Sequence, residues 1–163
     1  MHTGGKMEYG KRVTQRIDFF CFRRHLLMPL PKEKIRALSL EHHLALATVL
    51  AGRGHLDQVS CLVRVLYLAT FLRGTTLAET DLASYRSAEK ALNACVARVD
   101  QGMHCQLSDL ESDNIGRILL THDDQLDSIT WHQYLSAWER LRHYISTGQR
   151  SPIAVAMSNE QQS

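Results

Sequence analysis

The fold of this chain is decided by residues 32–73, KEKIRALSLEHHLALATVLAGRGHLDQVSCLVRVLYLATFLR. In the first half of this stretch, apolar residues recur at the three- and four-residue spacing of one helix face, until Gly52-Arg53-Gly54 interrupts the pattern. The second half is apolar on nearly every face, which is typical of a central, buried helix. Because only a short break separates the two halves, the stretch predicts an antiparallel αα-hairpin with helices over 32–51 and 55–73.

Three further helices are predicted outward from this hairpin. Capping boxes, in which two side chains satisfy the free backbone N–H groups of a helix start, occur at Thr76-x-x-Glu79 and at Ser108-x-x-Glu111. Asp123 and Asp124 favour the start of a last helix, since carboxylates complement the positive end of the helix dipole. No convincing strand alternation is present, so the sequence predicts an all-α, single-domain helical bundle of about five helices.

The 163 residues, 44% of them hydrophobic, suit one domain with one core. They divide into a basic and aromatic N-terminal arm over 1–30, the helical bundle over 31–148 and a Gln/Ser-rich flexible tail over 149–163. Charge is distributed unevenly: residues 1–36 have nine Lys/Arg against three Asp/Glu, whereas acidic side chains predominate in the rest. The composition excludes collagen-like, disulfide-dense and wholly disordered classes of protein.

The longest apolar run, residues 59–72, contains Arg64 and is shorter than the about 20 residues that a membrane span needs. The polar and basic residues 1–16 lack the apolar stretch that a secretory signal peptide needs. No C-x-x-C pair occurs among the four cysteines. We therefore expect a cytoplasmic protein with no membrane contact and with free thiols at Cys21, Cys61, Cys95 and Cys105.

Two aromatic groups are candidate partner-binding residues. The first lies in the N-terminal arm, in an apolar segment that needs cover from the body of the protein or from a second chain. The second occupies one face of the last predicted helix, where Trp and Tyr either anchor a partner or belong to the core. The candidate residues are Phe19, Phe20, Phe22, Trp131, Tyr134 and Trp138.

The basic arm is also a candidate nucleic-acid-binding segment. Its Lys and Arg side chains would give salt-dependent, largely nonspecific contacts to phosphates. The alternative is an arm that lies on the acidic body of its own chain. The hairpin itself does not resemble a helix-turn-helix, because its second helix is apolar where a recognition helix is polar and basic. The candidate residues are Lys11, Arg12, Arg16, Arg23 and Arg24.

Nine histidines raise a metal-site hypothesis, and the best local group is His104, Cys105 and His122. No standard ligand spacing such as H-E-x-x-H or C-x-x-C is present, and neither is a G-x-S-x-G nucleophile elbow or a phosphate-binding glycine loop. We therefore predict no catalytic residue, no metal ligand and no cofactor. A metal-dependent enzyme built around these three residues is an alternative.

Residues 27–68 resemble small helical proteobacterial proteins that carry the label Fis family transcriptional regulator. The likeness rests on Leu30-Pro31, His43-Leu44-Ala45-Leu46, Gly52, Gly54 and Leu66-Tyr67-Leu68. It implies a bacterial protein with a regulatory role, and it transfers no functional residue. Fis-type regulators end in a basic helix-turn-helix, whereas this chain ends in SPIAVAMSNEQQS.

From these patterns we expect a non-enzymatic regulatory or adaptor protein that acts by protein–protein contact, either as a homodimer or with another protein. The first alternative is a DNA-associated transcriptional regulator that uses the basic arm. The second is the metal-dependent enzyme.

Overall fold

The computed structural model describes residues 26–75, 80–148 and 151–160. Within these ranges the chain forms six helices and no strand, which confirms the predicted all-α class. The helices are α1 (Lys32–Leu50), α2 (Leu56–Phe71), α3 (Leu82–Asp100), α4 (Asp109–Ser128), α5 (Trp131–Thr147) and α6 (Pro152–Glu160).

The α1–α2 hairpin lies within two residues of its predicted bounds. Gly52 adopts the left-handed conformation (φ +70°) after α1. The N–H of Arg53 then donates to the carbonyl of Thr48 at 3.1 Å, and that of Gly52 donates to Val49 at 3.0 Å. These two bonds satisfy carbonyls at the helix end that would otherwise lack a partner. The chain turns back from there into α2.

The central helix is α2, as its apolar sequence predicts. It packs against each of the other five helices. Nine of its residues are buried: Val59, Cys61, Leu62, Val65, Leu66, Tyr67, Leu68, Ala69 and Thr70. A helix surrounded on all sides cannot present a polar face to water, which explains why its sequence lacks one.

The start of α4 confirms one of the two predicted capping boxes. The N–H of Ser108 donates to a Glu111 carboxylate oxygen at 2.8 Å, and the N–H of Glu111 donates to Ser108 Oγ at 3.3 Å. These bonds hold the pKa of Glu111 below its usual value. The other predicted box, Thr76-x-x-Glu79, lies outside the described residues, and α3 begins only at Leu82.

The predicted helix start at Asp123 and Asp124 is wrong, because both residues lie inside α4. The last long helix, α5, instead begins after Thr130. Thr130 and Gln133 form its capping box: the N–H of Thr130 donates to Gln133 Oε1 at 2.8 Å, and the N–H of Gln133 donates to Thr130 Oγ1 at 3.3 Å. A neutral capping box therefore marks the true boundary, and the paired carboxylates do not.

The tail predicted to be flexible over 149–163 contains helix α6. This helix packs against α2 and α3, and its Ile153 is 0% exposed. Burial of one large apolar side chain contributes about 1.5–3 kcal/mol, which offsets part of the entropy lost on ordering so short a segment. The Gln/Ser-rich composition of residues 149–163 did not indicate that Ile153 is buried.

The segment that leads into α1 crosses the junction between α4 and α5. The N–H of Trp131 donates to the carbonyl of Met28 at 2.9 Å, and Pro29 forms an isolated bridge with Thr130. Leu30 is buried in the core. The last residues of the predicted arm therefore belong to the folded body.

The expectation of free thiols is wrong for Cys95 and Cys105, which form a disulfide. The connection after α3 folds back on that helix and brings the two Cα atoms to 4.6 Å, a separation that permits a disulfide. Arg98 holds the same turn by donating to the carbonyl of Gln106 at 2.6 Å. Cys61 is a free, buried thiol, and burial raises its pKa.

Among the described helices, none combines the length and the apolar character that crossing a membrane requires.

Candidate functional site

Helix α1 has two apolar faces, of which only one is buried. The buried face carries Ile35, Leu38, Ala45, Leu46 and Val49. A second apolar stripe runs along the opposite side of the helix, where Leu40 and Leu44 are 68% and 61% exposed. We name this stripe the α1 ridge; it consists of Ala37, Leu40, Leu44 and Ala47.

The α1 ridge repeats at intervals of three, four and three residues. This spacing is the one by which helices pair along a coiled-coil seam. The printed sequence contains the pattern, but the buried stripe on the same helix is equally regular. Burial alone distinguishes the face that serves the core of this chain from the face that remains exposed.

Grooves flank the α1 ridge on both sides. The larger one, of about 680 Å³, lies between α1, α2 and α5. Leu44 and Ile145 line it and stand exposed, while Cys61 and Tyr67 line it from buried positions. A second groove of about 630 Å³ lies between α1 and α4, with Leu40 among its lining residues. The α1 ridge therefore stands between two concave surfaces.

Charged groups in the larger groove are arranged around Arg64. Its guanidinium lies 3.9 Å from a Glu41 carboxylate oxygen and 5.9 Å from the centre of the Trp138 ring. The thiol of Cys61 donates to the same Glu41 oxygen at 3.8 Å. An arginine held by a carboxylate and an aromatic face is oriented by both contacts. The groove thus carries a solvent-exposed ion pair beside an aromatic ring.

The aromatic residues predicted on α5 do lie together. Tyr134 stands between the two tryptophans, with ring centres 5.9 Å from Trp131 and 6.3 Å from Trp138. Tyr134 itself is only 6% exposed, and burial raises the pKa of its hydroxyl. Both tryptophans are half-buried against the core. This face of α5 therefore packs mainly inward and leaves only part of Trp131 and Trp138 for a partner.

The other predicted contact residues lie outside the described part of the chain. They are the aromatic residues Phe19, Phe20 and Phe22 and the basic residues Lys11, Arg12, Arg16, Arg23 and Arg24.

The proposed metal group of His104, Cys105 and His122 does not assemble. Cys105 is bonded to Cys95, His104 is exposed in the connection after α3, and His122 is fully buried in α4. Across the described ranges, no cluster of three His, Cys, Asp or Glu residues is placed to hold a metal ion. The sequence neighbours His104 and Cys105 thus diverge because the disulfide turns the cysteine inward.

His122 belongs instead to a buried polar pair with His42 at the contact between α1 and α4. Their ring centres are 5.5 Å apart. Gln125 donates its amide N–H to the carbonyl of Ala69 at 3.0 Å, so its oxygen accepts from His122 Nδ1 at 3.1 Å. Desolvation by burial lowers the pKa of His42 to about 4 and also lowers the pKa of His122. Both imidazoles are therefore neutral at pH 7.

No protein-family model, curated protein or solved structure matches this chain. The resemblance of residues 27–68 to the proteobacterial proteins remains an expectation. A functional proposal therefore rests on the surfaces of the chain itself.

Proposed function

We propose that this protein is a non-enzymatic regulatory or adaptor protein that acts by protein–protein contact, and that the α1 ridge joins two copies of the chain into a homodimer. The observation that carries the proposal is the second, exposed apolar face of α1. Exposed leucines at coiled-coil spacing on a folded helix are typical of a surface that a further helix covers.

A second copy is the occupant that the pattern favours. In an antiparallel pair whose two-fold axis passes between His43 and Leu44, Leu40 of one copy lies level with Ala47 of the other. Large side chains then meet small ones, which allows close packing. A self-complementary surface of this kind is what a two-fold dimer requires.

Charge adds to this complementarity at the ends of the pair. The antiparallel arrangement brings Lys34, near the start of α1, towards the partner's connection before α2 and the Asp57 that follows it. Asp57 lines the larger groove. Arg53 in the same connection offsets part of the attraction. The apolar ridge therefore supplies most of the affinity, and the charges favour the antiparallel orientation.

Light scattering coupled to size-exclusion chromatography tests the dimer. We expect the full chain to show twice its mass of 18.5 kDa, and Leu44→Asp to show the monomer mass, because the substitution places a charge beside the symmetry axis. Leu110→Asp is the matched control: Leu110 is 81% exposed at the start of α4 and lines neither groove beside the ridge. A monomeric wild type, or dissociation by both variants alike, would overturn the proposal.

A DNA-associated regulator is the second candidate, and the excess of Lys/Arg in residues 1–36 supports it. Salt-sensitive retention on double-stranded DNA that disappears when Lys11, Arg12 and Arg16 are replaced by Ala would favour this candidate.

For the compartment we propose the cytoplasm of a bacterium, on sequence grounds. The disulfide between Cys95 and Cys105 argues against that location, because reducing compartments keep most thiols free.

A further inference from the structure

A second concave site lies on another part of the molecule. It is a cavity of about 560 Å³ between the end of α2, the second half of α5 and helix α6. Its apolar walls include Phe71, Tyr144, Pro152 and Val155. Cavities of this size with apolar walls and a few polar groups are the usual form of small-molecule sites.

The polar groups of the cavity come from one face of α5. Ser136, Arg140 and His143 lie four and three residues apart, so their side chains project in the same direction. All three side chains can donate hydrogen bonds. This face therefore offers a row of donors opposite the apolar wall that α6 provides.

Arg140 is held in place by contacts that occupy only part of its hydrogen-bonding capacity. One of its terminal nitrogens donates to the carbonyl of Phe71 at 3.2 Å, and its guanidinium lies 4.4 Å from the centre of the Phe71 ring. A guanidinium has five N–H donors, so further donors remain for a ligand. Its planar fork matches the two oxygens of a carboxylate.

The wall behind Arg140 is fixed from the core. Tyr144 packs edge-on against Tyr67, with ring centres 5.1 Å apart. Tyr67 in turn donates its hydroxyl to the buried carboxylate of Glu89 at 2.9 Å, and Tyr144 donates to Tyr67 at 3.5 Å. These contacts hold the aromatic wall in its position, which reduces the cost of ordering it around a ligand.

We propose that this cavity binds a small amphipathic carboxylate, whose carboxylate contacts Arg140 and whose apolar body lies between Phe71, Tyr144 and Val155. The carboxylate of Glu139 also lines the cavity and repels anions. A single negative charge paired with an apolar body suits this combination, whereas a multiply charged phosphate does not. The site is separate from the α1 ridge and does not depend on the proposed dimer.

Isothermal titration calorimetry with sodium octanoate tests the proposal, with 1-octanol as the uncharged counterpart. We expect octanoate to bind at one site per chain and Arg140→Gln to weaken it roughly tenfold to a hundredfold, as expected for loss of a charge-assisted hydrogen bond. Glu139→Gln removes the repelling charge and should tighten binding by about two- to fivefold. Arg142→Gln is the matched control, because Arg142 is exposed on the same helix and does not line the cavity.

The contribution of the apolar wall on α6 is tested by Val155→Asp. This substitution places a negative charge on α6, opposite Arg140. It should weaken octanoate while leaving the circular dichroism spectrum unchanged. Absence of octanoate binding to the wild type would overturn the proposal, as would equal losses in Arg140→Gln and Arg142→Gln. Equal affinity for octanol and octanoate would overturn the assignment of the carboxylate to Arg140. Leu44→Asp should bind octanoate like the wild type, so failure of the dimer and failure of this site are distinguishable.

Discussion

Two glycines of the connection between α1 and α2 are required for different reasons. Gly52 supplies a left-handed backbone conformation, and a Cβ built on it would meet no atom within 4 Å. Gly54 has no such conformation, but a Cβ built on it would lie 2.9 Å from Val49 Cα and 2.6 Å from Val49 Cγ2. The main chain at Val49 cannot yield as a flexible side chain can. The hairpin therefore depends on a close approach of two backbone segments at Gly54.

We expect Gly54→Ala to lower the free energy of unfolding by about 1–3 kcal/mol, because the added methyl overpacks against Val49. Gly116→Ala is the comparison: Gly116 lies within α4, and its added methyl would meet only a Leu46 methyl at 4.0 Å. That substitution should raise stability by up to about 1 kcal/mol through helix propensity. Urea denaturation of both variants measures the change in the free energy of unfolding, which should be negative for Gly54→Ala and positive for Gly116→Ala. A stabilising Gly54→Ala would contradict the close approach of the backbone at Gly54 to Val49.

Among single residues, the sequence predicts local features better than distant pairings. The Ser108 capping box was predictable because both of its bonds lie within four residues. The Thr130 box has the same local signature, with Gln in place of Glu, but the helix start was predicted at Asp123 and Asp124 instead. The disulfide partner of Cys95 was not predictable, since it depends on the path of the connection that follows α3.

At the scale of helices, the connection between α3 and α4 is stabilised by a covalent bond as well as by packing. Cys95 lies one turn before the end of α3, and Cys105 lies three residues before the capping residue Ser108. The disulfide therefore keeps Cys95 and Cys105, and the residues beside them, close together in the unfolded chain. A short closed loop of this kind contributes on the order of 2–3 kcal/mol.

We expect the double variant Cys95→Ala, Cys105→Ala to unfold about 5–10 °C below the oxidised wild type. Unfolding in the presence of a phosphine reductant should lower the midpoint of the wild type and leave that of the double variant unchanged. Cys61→Ser keeps the disulfide, so its midpoint should still respond to the reductant. An identical response of the wild type and the double variant would contradict a stabilising disulfide.

Helix existence was largely predictable, because periodicity within one segment reflects the core that covers it. Helix ends were predictable where a glycine or a capping box is present. The extent of α4 was not, since the two aspartates indicated a helix start that packing against α1 and α2 overrides. The exposed side of α1 was missed because its stripe and the buried stripe have the same period, and the sequence alone cannot assign them.

At the scale of the whole molecule, neutral imidazoles in the core couple stability to pH. His42 and His122 face each other between α1 and α4, and His42 also lies in the field of Asp123, Arg64 and His43. A carboxylate oxygen of Asp123 is hydrogen-bonded to His43 Nε2 at 2.8 Å. Because the folded pKa of His42 lies near 4 and its ordinary value is 6.5, the unfolded chain binds more protons between these limits. Stability therefore falls as the pH falls through this window.

Urea denaturation at a series of pH values checks this dependence. We expect roughly 2 kcal/mol of stability to be lost between pH 7.5 and pH 5 through His42 alone, with a further loss from His122. His42→Gln should show a shallower slope over this range, whatever its stability at pH 7.5. His104→Gln, in the exposed connection, should keep the slope of the wild type; an unchanged slope in His42→Gln would contradict the coupling.

The bond between Met28 and Trp131 has a consequence for how the start of α1 is presented. It fixes the segment that leads into α1 against the start of α5. In an antiparallel pair whose axis passes between His43 and Leu44, the two α1 starts lie on opposite sides of the axis, roughly 35 Å apart along the helix direction. The exposed basic residues at each α1 start, Lys32, Lys34 and Arg36, would then be separated from those of the other copy by about one turn of duplex DNA. Each α1 start would raise the effective concentration of the other at any repeated or extended ligand.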